Sequence, residues 1–198
     1  MSNSSQQSQM NGQLIIISGP SGVGKSTICR ELVRRLDSVY LSVSTTSRPQ
    51  KAGEENGREY WFVSRDEFEK RIKEGKFLEY AEVFGNLYGT EKDKVLQALN
   101  KGRLVLLEID VQGAQQVKRL YPKAKLIFIL PPKQMELEKR INERGRDEGK
   151  DIEKRLAGAG IEIAAAWQYY KYMVINDDLE QAVQEVIDII NKPAGEQE

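Results

Sequence analysis

Gly19-Pro20-Ser21-Gly22-Val23-Gly24-Lys25-Ser26 fits G-x-x-x-x-G-K-[S/T], the pattern of a phosphate-binding loop. Leu14-Ile15-Ile16-Ile17 precedes it, a short β-branched run that reads as a buried strand. Ile28, Leu32 and Leu36 follow at every fourth residue, as on the buried face of a helix. The loop therefore lies between strand and helix, where its chemistry requires it. Its glycines let successive backbone N–H groups turn toward one anion, and the helix N-terminus adds positive partial charge. Lys25 supplies a point charge for β- and γ-phosphates, and the Ser26 hydroxyl can ligate Mg²⁺.

The rest of the chain narrows the chemistry. Its 198 residues suffice for one large domain, or for a core with insertions. Lys and Arg number 30 and so do Asp and Glu, so no basic surplus argues for nucleic acid or an anionic membrane. No apolar run approaches transmembrane length and no signal peptide is visible. The single cysteine, Cys29, excludes an internal disulfide and suits a reducing, cytoplasmic compartment; its place after the loop reads as a buried structural thiol. There is no histidine, which removes histidine-based hydrolase triads and most metal sites. The Ser-, Gln- and Asn-rich start reads as a disordered tail over 1–12, and 191–198 as a C-terminal tail.

Strand and helix signals alternate along the chain. Tyr40–Ser44 has period-two character; Leu104–Asp110 is an apolar run ending in carboxylates; Lys125–Leu130 and Tyr172–Ile175 are further buried strands. Val111, Ala114, Val117 and Leu120 mark one helix, and Leu179, Val183, Val186, Ile187 and Ile190 another. The fold class is therefore α/β, a parallel sheet covered by helices on both faces, with ligands at the carboxyl ends of its strands. Arg48–Thr90 breaks the alternation. It carries two short strands, Tyr60–Val63 and Leu78–Val83, around a helix whose Ser64 and Glu67 form a capping box, with Phe68 and Ile72 facing inward. It reads as an inserted subdomain with its own sheet. A second break, from about Arg140 to Arg155, is dense in charge and reads as a mobile flap.

Glu108 and Asp110 end a strand downstream of the loop, where phosphate-loop proteins hold Mg²⁺ through water; the alternative is a solvated strand end. Arg140, Arg144, Arg146 and Arg155 are either a solvated helix face or a positive flap over transferred phosphate that also excludes water. On or beside the insertion lie Ser44, Arg48, Lys51, Tyr60, Glu79, Tyr88 and Thr90. Arg48, Lys51 and the two tyrosine hydroxyls suit a monophosphate. Glu79 suits a guanine edge, because an ionised carboxylate accepts from both N1–H and the exocyclic amine, a donor pair adenine lacks. Each residue alone is ordinary surface or core.

Ser42-Val43-Ser44-Thr45-Thr46, Arg48, Ala52-Gly53-Glu54, Asn56-Gly57, Tyr60 and Phe77 to Thr90 closely resemble the bacterial guanylate kinases. So do Gly19 to Thr27, Glu108 to Gly113, Ile129 to Pro132, Arg144-Gly145-Arg146 and Val174 to Asp178, in order and spacing from about residue 13 to 190. The resemblance implies a three-layer phosphate-loop core (13–43, 91–137 and 157–190), a GMP-binding subdomain (44–90) and a small helical lid (138–156). It implies Mg-dependent transfer of a phosphoryl group from ATP to GMP, with dGMP as a further acceptor, in purine nucleotide metabolism. Gly19, Pro20, Ser21, Gly22, Val23, Gly24, Lys25, Ser26 and Thr27 would hold ATP, with Asn176 near its adenine. Ser44, Glu79 and Thr90 would lie at the guanine, Arg48, Lys51, Tyr60 and Tyr88 at the GMP phosphate, and Gly89 elsewhere in the GMP site. Glu108 and Asp110 would lie near the acceptor and metal, and Lys25, Arg48, Arg140, Arg144 and Arg155 would act on the transferred group.

Two positions depart from the family's pattern. Lys51 replaces the usual arginine, turning a bidentate clamp into a point contact. Glu108 replaces aspartate and is one methylene longer. Two rival readings remain. A guanylate-kinase-like binding module for phosphopeptides usually has proline at position 45, where this chain has Thr45, and need not keep Lys25 and the flap arginines. A GTPase switch needs N-K-x-D, which is absent: Asn100-Lys101 and Asn191-Lys192 are followed by other residues. Oligomeric state is left open.

Overall fold

The computed structural model describes residues 12–133 and 149–193. In chain order their elements are β1 (Gln13–Ser18), α1 (Lys25–Arg35), β2 (Val39–Leu41), β3 (Thr45–Thr46), β4 (Trp61–Phe62), α2 (Arg65–Lys73), β5 (Phe77–Val83), β6 (Asn86–Glu91), α3 (Lys92–Asn100), β7 (Leu104–Glu108), α4 (Val111–Leu120), β8 (Lys125–Leu130), α5 (Gly149–Tyr169), β9 (Tyr172–Ile175) and α6 (Leu179–Asn191). Five strands form one sheet in the order β2-β7-β1-β8-β9, and four form a second in the order β4-β3-β6-β5. The α/β class read from the sequence holds. By its contacts the chain divides into two compact units, one built on residues 37–107, the other on 15–36 and the chain from 108 onward.

In the second unit, β1, β8 and β9 run parallel, with Ile17 opposite Ile127 and Ile127 opposite Tyr172. Ile15, Ile16, Ile17, Ile127, Phe128 and Ile129 are fully buried, as a strand covered on both faces requires. Each such side chain contributes about 1.5–3 kcal/mol of transfer free energy. Helix α1 packs on α6, and α4 on α5. The C-terminus of α6 has no basic residue of its own in the last turn. Lys125, buried at the start of β8, serves instead: its ammonium donates to the carbonyls of Ile189 (2.9 Å), Ile190 (2.8 Å) and Lys192 (2.5 Å). A buried cation is tolerable there because three carbonyls at the helix end accept from it.

In the first unit, the small sheet is built around the β5–β6 hairpin. Phe84 and Gly85 both have positive φ (49° and 77°), which gives the two-residue turn a right-handed strand pair favours. Phe68 of α2 stacks on Phe77 at 4.4 Å, and Leu87, Val63 and Ile72 complete that core. Ser64 caps α2 by accepting from the Glu67 N–H (3.2 Å), as its sequence predicts, while the Glu67 carboxylate takes a bond from Arg71 (2.8 Å).

Two sequence readings change in detail. Tyr40–Ser44 is not one strand: β2 ends at Leu41 and the chain passes into the other sheet as β3. Thr45 and Thr46 are buried there, and the Thr46 hydroxyl donates to Leu87 O (2.9 Å), so hydrogen bonding rather than apolar periodicity fixes this strand. The strand read at Tyr60–Val63 is only Trp61–Phe62. Residues 149–155 form the first turns of the 21-residue α5.

Candidate active site

The phosphate loop leaves β1 at Ser18 and enters α1 at Lys25, as the motif requires. Gly24 is the N-cap of α1 in a left-handed conformation (φ 104°), and a Cβ there would strike the Asn176 amide. The Thr27 and Ile28 amides both donate to Gly24 O at 3.1 Å, which starts the helix. Val23 N–H donates to Pro20 O (3.3 Å), and Val23 is fully buried, which fastens the loop's middle. The Lys25 ammonium is held at the loop's own rim by Gly19 O (2.5 Å) and Pro20 O (3.0 Å). Asn176, just after β9, donates from its side chain to Val23 O (2.7 Å).

The strand end after β7 reaches the same loop. Ile109 N–H donates to Ile17 O (3.3 Å), and the Ser26 hydroxyl donates to Glu108 Oε1 at 2.7 Å. Asp110 is the N-cap of α4, accepting from Gly113 N–H (2.9 Å) and from the Gln112 amide (3.1 Å). Glu162 of α5 had no place in the sequence reading. Burial pushes its carboxyl up to about 7; nearby Lys25 pulls it down and Asp110 pushes it up. No motif flags it, because its meaning depends on where α5 runs. Cys29 is fully buried, and burial first, then Glu108, raises its thiol well above the ordinary value.

In the other unit, strand periodicity gathers the remaining candidates. Glu79 lies opposite Thr90, Ala81 opposite Tyr88, Thr46 opposite Tyr88 and Phe62, so these residues share one face of the small sheet. Tyr60 and Ser44, two residues along from Phe62 and Thr46, continue that face, and Ser44 O accepts from Trp61 N–H (2.9 Å). Gly89 lies between Thr45 and Tyr80 in the ladder, on the opposite face, against Phe68 and Phe77. Glu79 is 4% exposed and Thr90 1%, and the Thr90 hydroxyl donates to Glu79 Oε1 at 2.6 Å. Burying a carboxylate in a sheet face is costly, and the Thr90 hydroxyl offsets part of that cost.

A second cluster sits on the same face. Tyr60 and Tyr88 meet edge to face at 5.7 Å, and the Arg48 guanidinium lies 5.5 Å from the Tyr60 ring. Arg48 also donates to both oxygens of Glu54 (2.8 and 3.0 Å) and interacts with Tyr88. Lys51 meets the same carboxylate through its backbone N–H, at 2.8 Å. Glu54 is thus the organiser of this cluster, and its spacing from Arg48 and Lys51 in the sequence was the available signal. Arg140 and Arg144 lie outside the described residues; Arg155 falls on α5, but its side chain lies outside them too.

The donor set at Ser26 and Glu108 is one hydroxyl and one carboxylate. Hard oxygen ligands in small number fit Mg²⁺, which keeps several waters and takes its other ligands from phosphates. Among the described residues no helix is long and apolar enough to cross a membrane.

A family model described as "Guanylate kinase" matches residues 11–193. The chain is 47% identical to the guanylate kinase of Carboxydothermus hydrogenoformans over 175 residues, 88% of this chain and 85% of that protein. It is 48% identical to the guanylate kinase of a Nostoc species over 180 residues, 91% of this chain and 90% of that one. Among solved structures, guanylate kinase from Anaplasma phagocytophilum superposes with a TM-score of 0.76 at 33% identity, covering 90% of this chain and 84% of that one. With the phosphate loop, the Ser26–Glu108 pair and the Glu79–Thr90 face in one chain, this likeness over nearly its whole length shows that the chain belongs to the guanylate kinase family.

Proposed function

We propose that the chain transfers the γ-phosphoryl group of ATP to GMP, giving ADP and GDP, in purine nucleotide metabolism and the recycling of GMP. The observation that carries this reading is the buried Glu79 carboxylate, paired with Thr90 at 2.6 Å on the sheet face that also bears Arg48, Tyr60 and Tyr88. Guanine offers N1–H and an exocyclic amine on one edge, and an ionised carboxylate accepts both. Arg48, Lys51 and the two phenols suit the phosphate of the same nucleotide, and dGMP offers the same groups.

The loop from Gly19 to Thr27 holds the donor phosphates by backbone N–H groups, with Lys25 on the β- and γ-oxygens. Lys25 is held at the rim by two carbonyls, so its charge is already positioned when phosphate arrives. Ser26, with Glu108 and Asp110 through water, would hold Mg²⁺, which when bound neutralises charge on the donor phosphates. The acceptor is a phosphate monoester with a second pKa near 6, so at neutral pH it is mostly a dianion and needs no strong base. The chain's contribution is then positioning and positive charge. The resemblance assigns Arg140, Arg144 and Arg155, within a lid at 138–156, to the transferred group, and residues 44–90 to GMP.

Lys25→Ala tests the donor half. Steady-state turnover should fall about 100-fold or more while GMP affinity is kept. Near-normal kcat in that variant would remove the assignment.

A further inference from the structure

Asn176 does something more specific than line a nucleotide pocket. Its backbone N–H donates to Leu130 O (2.9 Å), which fixes it just beyond the carboxyl ends of β8 and β9. Its side chain is buried and donates from Nδ2 to Val23 O at 2.7 Å. Val23 lies between Gly22 (φ 91°) and Gly24 (φ 104°). Of the two residues that flank the peptide between Val23 and Gly24, Gly24 can adopt φ of either sign, so its own backbone does not fix one orientation of that peptide over the flipped form. That peptide is planar and trans, so its carbonyl and its N–H point in opposite directions. Holding the Val23 carbonyl down on Asn176 therefore aims the Gly24 N–H to the other side. Gly24 caps α1, whose N-terminus is where an anion binds. The absence of a Cβ at Gly24 is part of the same arrangement, because Asn176 Nδ2 occupies the space a Cβ would take.

We propose that Asn176 is a positioning residue that locks the Val23–Gly24 peptide, so that the Gly24 N–H faces the donor phosphates. This rests on the reading of the loop as an ATP phosphate site. It differs from an adenine contact in what it predicts. A base contact acts on the nucleobase; a peptide lock acts on phosphate whatever base is attached.

The test uses the full chain with Mg²⁺ and two probes, ATP and inorganic tripolyphosphate, which has no base. Dissociation constants are measured calorimetrically for wild type, Asn176→Ala and Asn176→Asp. The Asp variant keeps the side chain's shape but cannot donate from that atom when ionised, so it serves should the Ala variant fold poorly. Both probes should weaken by the same factor, about 10- to 100-fold, while GMP affinity is unchanged. In turnover, kcat should fall in the same variants. Tripolyphosphate bound as by wild type, whether or not ATP weakens, would overturn the lock. Wild-type turnover measured alongside separates the two readings. Wild type inactive with ATP and GMP counts against the proposed reaction; active wild type with variants that keep tripolyphosphate counts against the lock alone.

Discussion

Glu79→Gln isolates the group assigned to the guanine edge. In the structure the Glu79 carboxylate is 4% exposed and accepts from the Thr90 hydroxyl at 2.6 Å. Glutamine has nearly the same shape and keeps one acceptor, so Thr90 retains a partner. The second oxygen becomes an amine that meets a guanine N–H donor to donor. One charge-assisted hydrogen bond is lost, about 1.5–3 kcal/mol, and an unmatched donor adds about 1–3. The lower ends sum to about 2.5 kcal/mol, roughly 70-fold in kcat/KM for GMP. An amide is complementary to adenine, which offers an acceptor beside its amine, so AMP should gain rather than lose. The assay is ADP formation from ATP with GMP and with AMP as acceptors, read as the ratio of the two kcat/KM values, with a thermal melt as control. The melting temperature should stay close to that of wild type, because glutamine keeps the shape of the side chain and the acceptor for Thr90. An unchanged GMP/AMP ratio would refute the assignment of Glu79 as the base reader, and a large loss of melting temperature with that ratio intact would make its role structural.

Two further predictions concern stability. Lys125→Met leaves the carbonyls of Ile189, Ile190 and Lys192 without their ammonium, and should cost about 2–4 kcal/mol in urea unfolding with kcat unchanged; wild-type stability would show that α6 does not need this cap. Glu162 has its carboxyl raised by burial from the ordinary 4.5 to about 7, so between those values the native chain keeps a proton that the unfolded chain has released. Its contribution is fully present below 4.5 and is lost as pH rises through about 7. In metal- and nucleotide-free protein, Glu162→Gln should therefore gain about 1–2 kcal/mol relative to wild type between about pH 5 and about pH 8, allowing for a half-buried site. Parallel stability–pH curves for the two proteins would contradict it.

The phosphate loop and the strands around it were legible because their apolar runs are long and their motif has fixed spacing. The small sheet was legible only in part. Thr45, Thr46, Glu79 and Thr90 are buried polar residues whose places are set by hydrogen bonds, and hydropathy periodicity scores them as surface. Strand β6, Asn86–Glu91, contains Gly89 and follows Gly85, so it reads as turn until its register with β5 is seen. Helix α3 buries Val95, Ala98 and Leu99, an ordinary helical apolar spacing. At the site, the residue types were readable but not their roles. Asp110 serves as a helix N-cap, Glu54 joins Arg48 to Lys51, and Asn176 reaches the loop from a strand 153 positions away, a contact that only the fold creates.

The most direct test of the central claim is coupled detection of ADP from ATP, Mg²⁺ and GMP, with AMP, UMP and no acceptor as controls. The account predicts ADP formation with GMP at a kcat/KM far above that with AMP or UMP, and none above background without an acceptor. ADP without an acceptor, or no turnover with any acceptor from folded protein that still binds GMP, would contradict it.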